Sequence, residues 1–147
     1  MQYREGRIGR VFVLRLEGGE RLPEVIEAFA ADQGVAAAMV IYVGGAQDGS
    51  RMVVGPDASR RDAVIPLVHI LAGIQEVAGV GTLFPDEAGR PVLHLHAAAG
   101  REGGAAVGCA RAGVEVWLVG EVIILEIIGS DAVRRRDPQT GFTLLSL

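Results

Sequence analysis

The chain reads Val92-Leu93-His94-Leu95-His96-Ala97-Ala98-Ala99, then glycine-rich residues 100–104, then Ala105-Ala106-Val107-Gly108-Cys109-Ala110-Arg111. The alternation Leu93-His94-Leu95-His96 has the period of a strand. His94 and His96 fall on one face and Leu93 and Leu95 on the other, because successive side chains of a strand point in opposite directions. Arg101-Glu102-Gly103-Gly104 supplies turn chemistry. The two segments therefore read as an antiparallel hairpin in which Gly100 pairs with Ala105. Counting inward from the turn sets His96 opposite Cys109.

Outward from this hairpin the chain is mostly strand. Pro85-Asp86-Glu87-Ala88-Gly89-Arg90-Pro91 is a turn, preceded by a strand over Val77–Phe84. Earlier strands are expected at Val11–Leu16, Ala36–Val43, Ser50–Gly55 and Val64–Ala72, the last preceded by a charged loop, Asp57–Asp62. Val114–Ile128 is a long apolar stretch broken by Gly120. Arg134–Gly141 reads as a polar tail and Phe142–Leu147 as a closing strand. One segment departs from this pattern. Leu22, Val25, Ile26 and Phe29 recur at helical spacing, which predicts a long amphipathic helix over Glu20–Gln33 with Pro23 in its first turn and Gly34 just beyond its end. One helix among seven or more strands makes the fold α+β, a mainly antiparallel sheet, in a single compact domain over residues 1–147.

Half of the 147 residues are apolar, enough for a core without staples. Net charge is −4, from 14 Lys and Arg against 18 acids. A dedicated nucleic-acid binder shows a basic excess or face, so tight DNA binding by this chain alone is not expected. Arg134-Arg135-Arg136 is the one basic cluster. Flanked by Asp131 and Asp137, it reads as a solvated turn or an intersubunit salt-bridge site. Arg7-Ile8-Gly9-Arg10 lacks the Arg-Gly-Arg-Pro core of an AT-hook. Gly44-Gly45 opens no phosphate loop, since no Gly-Lys-Ser/Thr follows, and there is no Gly-x-Ser-x-Gly elbow. Cys109 is the single cysteine, so no internal disulfide forms, which suits a reducing compartment. The polar first ten residues do not read as a signal peptide, and no apolar run is long enough to span a bilayer. The cytoplasm is the expected location.

Several segments together resemble the plants-and-prokaryotes-conserved (PPC) domain family, stand-alone prokaryotic type. They are Pro91 to Ala97 followed by Gly108-Cys109-Ala110-Arg111-Ala112-Gly113; Phe12 to Leu16 with Gly19-Glu20; Gly44-Gly45-Ala46; Glu76-Val77 through Gly81; and Arg136-Asp137 with Thr140-Gly141. The resemblance implies a mainly antiparallel sheet with one long helix, assembled as a homotrimer. Plant members follow an AT-hook, whereas prokaryotic members stand alone, carry a DNA-binding label and mostly lack an established function. One position departs from the family pattern: Cys109 stands where a histidine is common. A mean hydropathy of +0.34 independently favours assembly, because surplus apolar strand surface calls for a partner.

His94, His96 and Cys109 are the candidate metal ligands. Two imidazoles and a thiolate suit Zn²⁺ and leave one coordination position open. The competing reading makes the histidines a hydrogen-bonded polar patch and Cys109 a small buried hydrophobe. His69, in Leu67-Val68-His69-Ile70, is either an additional ligand, a group behind the ligands, or a satisfied core histidine. Glu121 is a candidate general base, and alternatively an exposed or edge residue; Glu126, in the same apolar run, needs a partner or water. Two functions follow from the residues, and a third, DNA binding, is implied by the family label alone. One is a non-catalytic homotrimeric interaction or regulatory module carrying a divalent metal. The other is a metal-dependent enzyme acting on a small molecule through His94, His96 and Cys109.

Overall fold

A computed structural model of the protein describes residues 1–59, 64–138 and 140–147. In chain order its elements are β1 (Arg7–Glu17), β2 (Arg21–Leu22), α1 (Glu24–Asp32), β3 (Ala38–Ala46), β4 (Arg51–Pro56), β5 (Pro66–Ile70), β6 (Gln75–Pro85), β7 (Pro91–Arg101), β8 (Gly104–Cys109), a 3₁₀ turn (Ala110–Ala112), β9 (Val114–Ile128), β10 (Val133–Arg136) and β11 (Thr143–Ser146). Nine strands form one sheet in the order β1-β9-β3-β6-β7-β8-β4-β5, with β2 against β9 and every pairing antiparallel. β10 and β11 pair as a separate two-stranded ribbon. No helix among the described residues is long and apolar enough to cross a membrane.

Three expectations need correction. The helix has nine residues rather than fourteen and is not long. Arg21 and Leu22 pair with Glu115 and Val114, so the register of β9 claims them before the helix starts at Pro23. Leu22 is buried as a strand residue, although its spacing also fits the helical stripe. The C-terminal end does follow expectation: Gly34 adopts φ +64, and Val35 N–H reaches Ala30 O while Gly34 N–H reaches Ala31 O. That is the Schellman arrangement. Second, β1 begins at Arg7 rather than Val11, its register shifting between Ile8 and Val11. Third, Arg134–Arg136 belong to β10, and Arg134 is buried. Of the charged loop expected at 57–62, positions 60–62 lie outside the described residues.

The pleat sorts the sheet into two faces. On one, Val40, Tyr42, Leu83, Leu93, Leu95 and Ile124 are buried and pack with Ile26 and Ala30 of α1 in a single core. Ile124 sits in β9 between β1 and β3 and is fully buried. Ile124→Ala is expected to lower unfolding stability by about 2–5 kcal/mol, the range for losing a buried aliphatic side chain, as read by urea denaturation. The other face is apolar yet open. One register row runs Val13, Ile123, Ile41, Val80, His96, Cys109 across six strands. Val13 and Val80 on this row, and Val43 and Val107 beside it, are exposed.

Glu126 resolves its place in an apolar strand by pairing. The Arg10 guanidinium donates to both of its oxygens at 2.7 and 2.8 Å, and the Arg10 backbone N–H adds a bond of 2.9 Å. These bonds, side chain first and backbone second, hold the Glu126 carboxyl at about 2 instead of the usual 4.5. The unfolded chain therefore binds more protons than the native one between those values. The pair's stabilisation is complete above about pH 4.5 and is lost as pH falls toward 2. Glu126→Gln is expected to flatten the acid limb of a plot of urea midpoint against pH and to lower stability at pH 7.

Candidate metal centre

The hairpin that carries the histidines forms in the expected register. Gly100 pairs with Ala105 and His96 with Cys109. Leu93, Leu95, Ala97 and Ala99 turn into the core, and His94 and His96 turn to the open face. The ligand atoms of His94, His96 and Cys109 all lie within 4.8 Å of one another. The two Nε2 atoms are 3.0 Å apart, with the rings edge to face. Tetrahedral zinc with Zn–N bonds of 2.0–2.1 Å separates two nitrogens by roughly 3.3 Å, so the pair needs little adjustment to share an ion. Burial, then the neighbouring His96, Arg134 and Arg111, lower the His94 pKa, which favours the neutral imidazole a metal requires. The Cys109 side chain is buried, as suits a thiolate ligand held away from competing solvent. Donor types and spacing fit a borderline-soft divalent cation.

Gly108 makes the third donor possible. Val53 of β4 pairs with Cys109, and a Cβ on Gly108 would stand 2.5 Å from Val53 O. Only glycine lets β4 close over β8 at this point. The 3₁₀ turn begins immediately after Cys109 and places Arg111 beside Phe142, with the guanidinium 5.7 Å from the ring centre.

Beyond these three candidates, β7 has an open edge, because β8 pairs only as far as His96. Two side chains occupy this region. Glu27 of α1 accepts the Leu93 N–H at 2.8 Å, and burial raises its carboxyl pKa. Arg134 donates to Val92 O, Thr82 O and Thr82 Oγ1 at 2.9–3.2 Å, tying β10 to β6 and β7. A cavity of about 820 Å³ opens here, with His94, His96, Cys109, Glu27, Arg111 and Arg134 in its lining. Its remaining walls are largely apolar, with Val53, Val92, Val107, Phe142 and Leu144 among them.

The other candidates lie elsewhere. His69 is exposed on β5 opposite Met52, whereas Cys109 sits opposite Val53, one residue along β4. It is not a core histidine and does not join the converging group. Glu121 is exposed on β9 between Arg15 and Val43, and it lines neither the cavity nor the cluster. Arg134 and Glu27 are the residues that sequence reasoning missed. Arg134 looked solvated within an arginine run. Glu27 sits on the polar side of the helical stripe and carries no signal of its partner.

The sequence profile of the Plants and Prokaryotes Conserved (PCC) domain matches residues 3–128. No curated protein matches the chain. Among solved structures, the metal-containing protein from Archaeoglobus fulgidus is 25% identical, with a TM-score of 0.82 over all of both chains. A plant- and prokaryote-conserved (PPC) protein from Pyrococcus horikoshii is 23% identical, with a TM-score of 0.85 over all of this chain and 98% of that one. A Ralstonia eutropha protein named "Putative DNA-binding protein" is 22% identical, with a TM-score of 0.68 over 92% of this chain and 90% of that one. A fold built on the His-x-His hairpin and a profile match across most of its length agree: the chain belongs to the Plants and Prokaryotes Conserved (PCC) domain family.

Proposed function

We propose that this protein is a homotrimeric interaction module of the PCC type, regulatory in role and cytoplasmic, that carries one zinc ion per chain on His94, His96 and Cys109. The observation that carries the reading is the convergence of two imidazoles and one thiol on the open face of the sheet. A solved relative of the same fold is itself described as metal-containing. The apolar row from Val13 to Val80 runs to the same site, so a trimer that covers this row also shields the metal from water. A lone free thiol suits the reducing cytoplasm. Elemental analysis of protein purified without chelators tests the metal, and light scattering tests the assembly. One zinc per chain and a trimer mass support the reading; metal-free protein or a monomer mass at micromolar concentration contradicts it.

A metal-dependent enzyme acting on a small molecule is the second reading, favoured by the cavity beside an incomplete ligand set. Among the described residues the carboxylate placed to serve it is Glu27, which lines the cavity, rather than Glu121. DNA binding is the weakest reading. Non-specific affinity arises from phosphate neutralisation, and the chain is acidic. The protein alone is expected to bind duplex DNA no more tightly than about 1 µM at about 0.15 M salt, as measured by fluorescence anisotropy.

A further inference from the structure

We propose that the cavity beside His94, His96 and Cys109 binds a small organic carboxylate with an apolar body, and that Arg111 receives its acidic group. The inference rests on the metal-site reading and deepens it, because the cavity opens beside the same three residues. Three observations point to this ligand class. First, the two arginines among the described lining residues have different employment. Arg134 is spent on Thr82 and Val92, whereas Arg111 makes no hydrogen bond or ion pair among the described residues and only lies over Phe142. A guanidinium at a cavity wall with no acceptor among the described residues is available for a planar, two-oxygen anion. Second, charge in the lining favours an anion. Glu27 is the only carboxylate among the described lining residues, and it is already engaged by the Leu93 N–H. A divalent ion on two neutral histidines and one thiolate would add further positive charge. Third, size and surface select the body. The cavity of about 820 Å³ lies within the range of small-molecule sites, and its walls include Val53, Val54, Val92, Leu144 and Phe142. Inorganic phosphate would leave that apolar surface wet, whereas a carboxylate on a hydrocarbon or aryl stem covers it.

The test is calorimetric titration of the zinc-loaded protein with 4-phenylbutyrate, its uncharged amide and inorganic phosphate, repeated on metal-stripped protein. The acid is expected to bind at least tenfold more tightly than the amide or phosphate. Arg111→Ala should weaken the acid by roughly tenfold to a hundredfold, the scale of one charged hydrogen bond, with zinc content unchanged. Arg111→Lys should recover part of that loss. Equal binding of acid and amide, binding unaffected by Arg111→Ala, or no binding of any probe would overturn the proposal. Preference for phosphate over the acid would overturn the ligand class. Stripping separates this inference from the metal reading. Acid binding that survives without metal and still depends on Arg111 supports the carboxylate site even where zinc never loads. Acid binding that never depends on Arg111, alongside normal zinc loading, sinks the carboxylate site and leaves the metal reading standing.

Discussion

Cys109→Ser is expected to weaken zinc binding by more than about a hundredfold, beyond the 10–100-fold that loss of an outer-shell partner costs. Serine keeps the size and the position opposite His96 but offers a hard, protonated hydroxyl where zinc prefers a thiolate. His94→Ala and His96→Ala should do the same, because two remaining donors cannot hold the ion against water. Competition with a chromophoric chelator reads the affinity. Circular dichroism separates ligand loss from unfolding, since His94 and His96 lie on the open face and contribute nothing to the core. A companion result follows from thiolate chemistry: in the zinc-loaded protein Cys109 should resist iodoacetamide, and chelation should expose it to reaction. Unchanged zinc affinity in Cys109→Ser would remove the thiolate from the site.

The second large effect concerns assembly. Ile41→Glu is expected to convert the proposed trimer to monomer. Ile41 lies mid-row, flanked by Ile123 and Val80, two strands away from His96, the nearest of the proposed ligands. Covering that row with partner surface would bury an unpaired carboxylate at a cost of about 3–5 kcal/mol for each interface, enough to dissociate the assembly at micromolar concentration. In an isolated chain Ile41 is only half-buried, so the monomer should fold and keep the proposed zinc site. Light scattering decides the matter. A trimer mass for Ile41→Glu would show that the covered surface lies elsewhere.

Legibility differed from element to element for identifiable reasons. The hairpin of β7 and β8 could be read from sequence because both of its determinants are local. Alternation assigns the faces, and a short glycine-rich turn fixes the register, so His96 opposite Cys109 followed from counting. The end of α1 was legible for the same reason, since Gly34 acts within one turn. Its beginning was not. Leu22 satisfies a helical stripe and a strand equally, and only the distant Val114 decides between them. Arg10 with Glu126 and Arg134 with Thr82 are contacts across 116 and 52 residues. Nothing near Arg134 distinguishes it from Arg135 and Arg136, and its burial depends on the β10–β11 ribbon folding toward the end of β6. The metal candidates were therefore visible before the fold was known, whereas the guanidiniums and the cavity around them were not.

X-ray absorption at the zinc K-edge of the zinc-loaded protein tests the central claim most directly, because it reports the donor atoms themselves. His94, His96 and Cys109 predict one sulfur at about 2.3 Å and two imidazole nitrogens at about 2.0–2.1 Å, completed by one light-atom ligand. A spectrum fitted by nitrogen and oxygen alone, with no sulfur scatterer, would contradict it.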